Sequence, residues 1–302
     1  MDTPVFLFPG QASQEVGMGK DIYDAFVRVR DLYDAAETYL EFPLKKLSFE
    51  GPLEELTKTQ FTQPAIFVAS CAFDLLLKEK GIKPAAAAGH SLGEFSALIS
   101  SQSMTFEAGL KLVKLRGELM GKAGELNPGA MSAIIGLDAG IVEQVCSETE
   151  GIVIPANYNS PGQLVISGEV EAVKKAGAEM KERGAKIVMP LNVSGAFHSP
   201  LMEFAIEELY SAIDDTEFFQ PKFPVYTNVT AKPASSPDET RDLLKKQLVS
   251  PVRWEESIKN MLTLTGNFIE VGPGKVLSGL IKRIDKSKSC VPVGTKEAID
   301  AL

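Results

Sequence analysis

The chain has 302 residues, of which 44% are hydrophobic and 24% are charged, and its formal net charge is −9. These proportions are those of an ordinary soluble globular protein, and the length suggests roughly two domains. The negative charge gives no bulk attraction to nucleic acid or to an anionic membrane, which excludes both as general partners.

Targeting, membrane and cysteine signals point to a reducing compartment. The N-terminus, MDTPVFLFPG, lacks a basic start followed by a signal-like apolar region. No apolar run reaches the roughly 18 residues that span a bilayer. Cys71, Cys146 and Cys290 lie far apart with no C-x-x-C spacing, which favours free thiols over a metal site. We therefore expect a cytoplasmic protein without a metal.

The first part of the chain alternates strand and helix patterns, which indicates an α/β fold. The predicted elements are a strand at Val5–Phe8 ended by Pro9-Gly10, helical spacing of Ile22, Phe26, Val29 and Tyr33, a helix from Pro64 to Gly81, a strand at Ala85–Ala88, a helix from about Leu92 and a long helix from Thr105 to about Lys122.

The pattern changes after a predicted boundary at Gly124–Pro128. The elements expected there are a strand at Ala130–Leu137, a helix capped by Asp138 and running to Thr149, strands at Ile152–Asn157 and Gln163–Ser167 joined by a turn containing Asn159-Ser160-Pro161-Gly162, a helix to Arg183 and a strand at Lys186–Pro190. This βαββαβ order is the ferredoxin-like arrangement.

We interpret residues 125–195 as a small domain inserted into a larger α/β domain formed by residues 1–124 and 196–302. The larger domain is expected to resume near Gly195 with a helix from about Pro200, strands at Phe223–Tyr226 and Phe268–Val271, and a C-terminal helix.

The residues at 89–93, GHSLG, fit the pattern G-x-S-x-G. This pattern is typical of a sharp strand-to-helix turn that presents a serine hydroxyl. A serine hydroxyl is a weak nucleophile, so Ser91 needs a base for its proton and donors for the oxyanion that develops.

The chain contains two histidines that could act as this base. His90 adjoins Ser91, but adjacent side chains at a tight turn point in different directions, so we expect a structural role for His90. His198 lies in a loop at the predicted domain junction, where pockets form, and is the predicted base. Between Ser91 and His198, Asp138 is read as a helix cap and Glu169 as a helix start. We therefore predict a Ser–His dyad whose imidazole is oriented by something other than a carboxylate.

Arg116 lies on an apolar face of its predicted helix. Its neighbours three and four residues away are Leu112, Val113, Leu119 and Met120. Such an arginine can extend to solvent or pair with an internal acid. It can also bind the carboxylate of a substrate through two parallel hydrogen bonds. The spacing alone leaves these interpretations open.

Several longer motifs occur in a specific order along nearly the whole chain: FPGQASQ at 8–14, TQPAIFVAS at 62–70, GHSLGEFSAL at 89–98, RGELM at 116–120, GAFHSPLM at 195–202, TNVTAKP at 227–233 and FIEVGPGKVLSGLIK at 268–282. With these motifs the chain resembles the malonyl-CoA:acyl carrier protein transacylase family of bacterial fatty-acid synthesis. The resemblance implies an α/β-hydrolase-like large domain and a ferredoxin-like small one.

The resemblance also implies roles for individual residues. Ser91 would be the acylated nucleophile and His198 its base, with the backbone N–H groups of Gln11 and Leu92 as the oxyanion hole. Arg116 would bind the free carboxylate of a malonyl group.

Further positions match the family more loosely. The backbone carbonyl of Gln247 would orient His198. Phe197, in GAFH, would leave little space for an α-methyl branch, although core packing explains it equally. Gln63 and Asn159 match positions near the family's site.

The implied reaction moves a malonyl group from malonyl-CoA to the phosphopantetheine thiol of acyl carrier protein, through a malonyl-serine and without a cofactor. A serine hydrolase or thioesterase, a transferase of acetyl or branched acyl groups, and an inactive module that binds carrier protein are the alternatives. Because carrier proteins are typically acidic, binding needs a local positive surface, for which the candidates are Lys111, Lys114, Lys186, Lys282, Arg283, Lys286 and Lys288.

Overall fold

Two β-sheets organise the computed structural model, which describes residues 3–193 and 195–302 of the chain. The strands of the described residues are β1 (Val5–Phe8), β2 (Ala86–Gly89), β3 (Gly129–Ile135), β4 (Val153–Ser160), β5 (Gln163–Glu169), β6 (Ile187–Pro190), β7 (Val225–Tyr226), β8 (Asn267–Val271) and β9 (Ser289–Val293).

Helices surround both sheets. They are α1 (Lys20–Ala25), α2 (Val27–Tyr39), α3 (Leu44–Glu50), α4 (Leu53–Thr57), α5 (Thr59–Glu79), α6 (Gly93–Ser100), α7 (Phe106–Leu126), α8 (Ala139–Glu148), α9 (Val170–Glu182), a 3₁₀ helix at Pro200–Ala205, α10 (Ile206–Asp214), α11 (Pro237–Gln247), α12 (Trp254–Met261), α13 (Val276–Ile284) and α14 (Lys296–Asp300).

The first sheet is parallel, with five strands in the order β7-β2-β1-β8-β9. All residues of β1 and β2 are buried, so neither face of the sheet centre meets water. Strands covered by helices on both faces read as continuous apolar runs, which is why VFLF and AAAG form strands here. The alanines of β2 also leave room for close packing at the strand's end.

The second sheet is antiparallel, with four strands in the order β4-β5-β3-β6. Alternate side chains of its strands face opposite sides. Ile134 and Ile166 pack with apolar residues of α8 and α9, whereas Met131 and Val165 belong to the main core cluster shared with the first sheet. The predicted mixed α/β fold is therefore confirmed, with a parallel and a separate antiparallel sheet. The chain order of the second sheet's elements is β3, α8, β4, β5, α9, β6.

Two helix predictions were wrong in detail. The helix expected to begin near Pro64 begins at Thr59, and Pro64 lies inside its second turn. Pro64 is the sixth residue of this helix, so it gives up one intrahelical N–H bond, and the helix continues through it. The helical pattern through Phe26 is interrupted, since Phe26 is extended at φ −121° and ψ 123° and separates α1 from α2. The Arg30 guanidinium donates to the carbonyls of Tyr23 and Asp24 at the end of α1.

Other boundaries also moved. Helix α7 continues to Leu126 through the predicted boundary, because one glycine at 124 costs a helix only about 1 kcal/mol. Asn159 and Ser160 belong to β4, so the turn is shorter than predicted and contains Pro161 and Gly162, the latter at φ +69°. The predicted cap by Asp138 is confirmed, since its carboxylate accepts the Gly140 N–H.

Two strands of the first sheet also differ from their sequence predictions. Strand β7 is restricted to Val225–Tyr226, so Phe223 and Pro224 precede it. Strand β9 was not predicted; its sequence SCVPV includes Pro292, which a sheet tolerates because β9 is an edge strand.

Helix α5 is the one described helix long and apolar enough to cross a membrane by length and composition. Within the protein, 83% of its most apolar window is buried. It packs against α7 and α6 in the main core, as expected of a central helix in a globular protein.

Candidate active site

The turn after β2 holds Ser91 in a conformation that its glycine neighbours make possible. Ser91 has φ +50°, a left-handed value that is uncommon outside glycine. A Cβ on Gly89 would lie 1.8 Å from the carbonyl carbon of Gly93, and a Cβ on Gly93 would lie 2.1 Å from the Phe8 carbonyl oxygen. Both glycines are therefore required for the chain to turn from β2 into α6 beside β1.

Asn228, just after β7, binds this turn from the next strand of the sheet. Its Oδ1 accepts the Ser91 N–H at 2.7 Å, and its Nδ2 donates to the Gly89 carbonyl at 2.7 Å. Asn228 lies in the motif TNVTAKP, from which no role for this residue was predicted. Asn228 holds the backbone at Ser91 from a position that adjoins it only in the folded sheet.

Ser91 and His198 form a hydrogen-bonded pair. The distance between Ser91 Oγ and His198 Nε2 is 2.8 Å. His198 Nδ1 lies 3.0 Å from the Gln247 carbonyl oxygen and 3.2 Å from that of Ser250. Because carbonyls only accept, Nδ1 carries the proton and Nε2 is free to accept one. Burial, and next the charge of Arg116, lower the pKa of His198 to about 3, so the ring is neutral at neutral pH.

His90 does not contact the hydroxyl of Ser91. Its Nε2 lies 2.8 Å from Asn159 Oδ1, and its ring packs on Trp254 at a centroid distance of 5.4 Å. Burial lowers the pKa of His90. Asn159 therefore contacts His90, the residue next to Ser91, while Ser91 itself is paired with His198.

Arg116 is 1% exposed and points at Ser91. Its guanidinium donates to Gln63 Oε1 at 2.7 Å, to Ser91 Oγ at 3.0 Å and to Gln247 Oε1 at 3.1 Å. All three partners are neutral, and Arg116 has no ion pair with any carboxylate of the described residues. Burial lowers the pKa of Arg116 to about 10, against the opposing field of Glu94, so the group stays positive at neutral pH.

Glu94 is a buried acid that the sequence analysis missed. It is 1% exposed, and its Oε2 accepts hydrogen bonds from Gln247 Nε2 at 2.8 Å and from the Asn228 N–H at 3.1 Å. Burial raises the pKa of Glu94 to about 7, although both hydrogen bonds and the charge of Arg116 act in the opposite direction. The available signal was helical spacing, because residues three and four positions later are Ala97 and Leu98.

The two backbone donors implied by the family resemblance come from equivalent points of neighbouring strands. Phe8 pairs with Gly89 at the ends of β1 and β2, and Gln11 and Leu92 each lie three residues further on. In the part of the chain that the structure describes, neither N–H forms a hydrogen bond. Both groups are therefore available to a ligand beside Ser91.

A cavity of about 320 Å³ opens at the dyad. Gln11, Ser91 and His198 line it together with apolar side chains that include Phe197 and Met131. Phe197 is 5% exposed and also belongs to the main core cluster, so it both packs and shapes the cavity. Among the described residues, no group of three His, Cys, Asp or Glu side chains is arranged to hold a metal ion.

Comparison with known proteins is decisive about the family. The model of the acyl transferase domain matches residues 5–298. The chain belongs to the acyl transferase family. A relative from Bacillus subtilis, named malonyl CoA-acyl carrier protein transacylase, is 44% identical over 99% of this chain and 96% of its own length.

Solved structures agree with this acyl transferase along its whole length. An acyl carrier protein S-malonyltransferase from Vibrio cholerae is 42% identical, with a TM-score of 0.96 over 99% of each chain. A malonyl-transacylase solved in complex with a type II PKS acyl-carrier protein is 42% identical, with a TM-score of 0.94 over 98% of this chain and 97% of its own. The protein is an acyltransferase enzyme.

Proposed function

We propose that this acyltransferase moves a malonyl group from malonyl-CoA to the phosphopantetheine thiol of an acyl carrier protein. The observation that carries this proposal is the Arg116 guanidinium, buried without an ion pair among the described residues and 3.0 Å from Ser91 Oγ. An acyl group on Ser91 that ended in a carboxylate would bring that carboxylate within reach of the guanidinium. The names of the relatives point to the same acyl group.

The first half-reaction acylates the serine. His198 Nε2 takes the Ser91 hydroxyl proton while Oγ attacks the thioester carbonyl of malonyl-CoA. The N–H groups of Gln11 and Leu92 stabilise the tetrahedral oxyanion, and the loss of one such donor commonly costs about 3–4 kcal/mol of barrier. When the carbonyl re-forms, the C–S bond breaks and coenzyme A leaves with the proton from His198.

The second half-reaction runs the same steps in reverse. His198 takes the proton of the carrier protein's thiol, and the sulfur attacks the malonyl-serine ester. Collapse of the tetrahedral species breaks the bond to Ser91 Oγ, which regains its proton. The sequence is a ping-pong transfer in which every proton passes through one imidazole, and no step calls for a metal or redox cofactor.

The remaining predicted site residues support these steps. The Gln247 carbonyl holds the reactive tautomer of His198. Gln63 accepts from Arg116 and directs the guanidinium toward the acyl chain. Phe197 walls the cavity against an α-methyl branch, and Asn159 fixes His90 at the cavity's side.

Sheet topology supports the finer description of the fold that the sequence suggested. The parallel sheet would be an α/β-hydrolase-like large domain of residues 1–124 and 196–302. The antiparallel sheet, with its βαββαβ order, would be a ferredoxin-like domain of residues 125–195. We keep the cytoplasm as the proposed location.

An acidic carrier protein needs uncompensated positive charge near the cavity. Two of the seven candidates are already neutralised, because Lys111 pairs with Glu107 and Lys114 with Glu41. Lys186 is exposed and lines a groove that shares Met131 and Leu191 with the active-site cavity. We therefore rank Lys186 first for charge reversal; unchanged transfer to carrier protein in a Lys186→Glu variant would remove it from the docking surface.

Intact mass spectrometry tests the proposed function. The protein is incubated briefly with malonyl-CoA and then with holo carrier protein, with Ser91→Ala as the control. We expect a malonyl adduct on the wild type alone, which moves to the carrier protein in the second step. An adduct lost to water at the same rate without carrier protein would identify a hydrolase, and absence of any adduct would contradict the malonyl assignment and favour an inactive binding module.

A further inference from the structure

Glu94 is hydrogen-bonded to two residues, Gln247 and Asn228, that hold the active site in place. Its Oε2 accepts one hydrogen bond from the side chain of Gln247, at 2.8 Å, and one from the backbone of Asn228, at 3.1 Å. Those two residues contact the nucleophile, the base and the arginine. The carboxylate itself forms no hydrogen bond with Ser91, His198 or Arg116 in the described structure.

The Gln247 side chain has one satisfactory orientation. Its NH₂ donates to the Ser91 carbonyl at 3.0 Å and to Glu94 Oε2, while its Oε1 accepts from Arg116 at 3.1 Å. A flipped amide would turn its donors toward the guanidinium, which has only donors, and its oxygen toward two acceptors. Glu94 therefore helps to keep the amide oxygen of Gln247, and not its NH₂ group, directed at Arg116. The backbone carbonyl of the same Gln247 holds the Nδ1–H of His198.

Asn228 receives a similar constraint on its main chain. Glu94 accepts its N–H, and its side chain then spans the Ser91 N–H and the Gly89 carbonyl at 2.7 Å each. A displaced backbone at Asn228 would shift both contacts, and with them the strained φ of Ser91. Glu94 Oε2 thus restrains the turn at Ser91 through Asn228, and His198 and Arg116 through Gln247.

We propose that Glu94 is a positioning residue for acyl transfer, which acts through Gln247 and Asn228. The inference rests on the proposed function for the identity of the acyl donor, whereas the geometry of the Ser91–His198 pair is independent of it. Unlike the acid of a serine–histidine–aspartate triad, Glu94 does not meet the imidazole, whose Nδ1–H faces the backbone carbonyls of Gln247 and Ser250. Its contribution is the position of an acceptor oxygen, and its negative charge is not required.

Two substitutions separate position from charge. Glu94→Gln removes the charge but keeps an amide oxygen at the same distance from the backbone. Glu94→Asp keeps the charge but withdraws the oxygen by one methylene. We expect Gln to retain malonyl-transfer kcat within about threefold, and Asp to lose about 10- to 100-fold, since two buried donors lose their acceptor. Retention by Asp with loss in Gln, or full activity in both, would overturn the proposal.

A double-mutant cycle tests the route through Gln247. In a Gln247→Leu background, Glu94→Asp should lower kcat by a smaller factor than in the wild type, because one of the two residues through which it acts is gone. The same factor in both backgrounds would show that Glu94 acts independently of Gln247 and would contradict the inference. Thermal unfolding of each variant identifies losses that come only from incomplete folding.

A fluorophosphonate that labels active serines makes the two proposals separately testable. Its labelling rate reports the Ser91–His198 pair without any acyl donor. If the wild type is labelled but forms no malonyl adduct, the proposed function fails while the ranking of the Glu94 variants can still be measured. We expect wild type and Glu94→Gln to be labelled at similar rates and Glu94→Asp at least about tenfold more slowly. Equal labelling of all three would overturn the positioning role.

Discussion

The two sheets contribute to the site in different ways. The ends of β2 and β7 in the parallel sheet lead into Ser91 and Asn228, which join the buried Glu94 in one hydrogen-bonded network. The antiparallel sheet supplies wall residues such as Met131, together with Asn159, whose contact is with His90. Parallel strands end at a common edge, where polar groups converge. The antiparallel sheet instead presents one of its two faces to the cavity. Chemistry and enclosure are therefore separable by mutation.

Among substitutions at the edge of the parallel sheet, Ser91→Ala should have the largest effect on activity. Without the hydroxyl no acyl-enzyme can form, so the malonyl adduct should be absent and transfer should fall by at least about 10⁴-fold. Adduct formation and steady-state transfer measure this directly. His90→Gln is the matched control in the same turn, and it should retain the adduct; a surviving adduct in Ser91→Ala would place the nucleophile elsewhere.

Arg116→Ala should have the next largest effect, and a selective one. Two charge-assisted hydrogen bonds to a malonyl carboxylate would be lost, so kcat/KM for malonyl-CoA should fall by about 100-fold or more. For acetyl-CoA, which has no carboxylate, the fall should be far smaller. Lys114→Ala, two residues away on α7, controls for general damage to the helix. Equal losses with both donors would contradict the carboxylate role.

The protonation of His198 gives a test without turnover. Burial and the Arg116 charge both lower its pKa, so its imidazole signals should stay those of the neutral ring well below pH 6.5. Arg116→Ala removes the second cause, and the midpoint should rise. With two histidines in the chain, heteronuclear NMR with a His90 variant for assignment resolves the titration. A midpoint that is unchanged or lower would show that the Arg116 charge does not act on this ring.

The same pKa has a consequence for stability. The unfolded chain takes up a proton near pH 6.5, while folded His198 resists it down to about pH 3. Unfolding therefore binds a proton in that window, and this contribution lowers stability as the pH falls from 6.5 toward 3. In Arg116→Ala the window is narrower, so the fall should be smaller.

Ile166→Ala, in the antiparallel sheet, should have the smallest effect on chemistry. Ile166 is 0% exposed and packs among residues of α8 and α9 on the side away from the main core cluster. Removing its side chain should cost about 2–5 kcal/mol of stability while kcat in the folded protein changes by less than about threefold. Denaturant unfolding with parallel kinetics measures both. A large loss of kcat in folded protein would show that the two sheets do not separate in this way.

Sequence reasoning located the groups that short-range rules define. The spacing of glycines around Ser91 predicted the turn, and the helical neighbours of Arg116 placed it on an apolar face, because both depend on residues a few positions away; the spacing left open whether Arg116 is buried. Local patterns also predicted the βαββαβ order in which the elements of the antiparallel sheet follow one another along the chain.

The missed features depend on long-range contacts. Asn228, for which no role was predicted from the sequence, lies 137 residues from Ser91, and Gln247, predicted only through its backbone carbonyl, lies 156 residues from Ser91 yet contacts it through its side chain. Glu94 is in the first turn of α6, where an acid is expected for a helix N-terminus, and this expectation masks the apolar spacing to Ala97 and Leu98 that indicates a buried face. Its role became visible only when the fold brought both partners to its carboxylate.

The equal offsets of Gln11 and Leu92 from the Phe8–Gly89 pair carry a consequence for how this enzyme can change. The spacing of the two donors derives from the separation of adjacent strands, about 4.8 Å, and from two short turns. Side chains at 11 and 92 can therefore vary without altering the donors. Gly10 is different: a Cβ there would lie 2.4 Å from the His90 carbonyl oxygen and would force the two turns apart. These two turns should therefore tolerate changes of side chain at 11 and 92, whereas any side chain at Gly10, as at Gly89 and Gly93, would collide with neighbouring backbone.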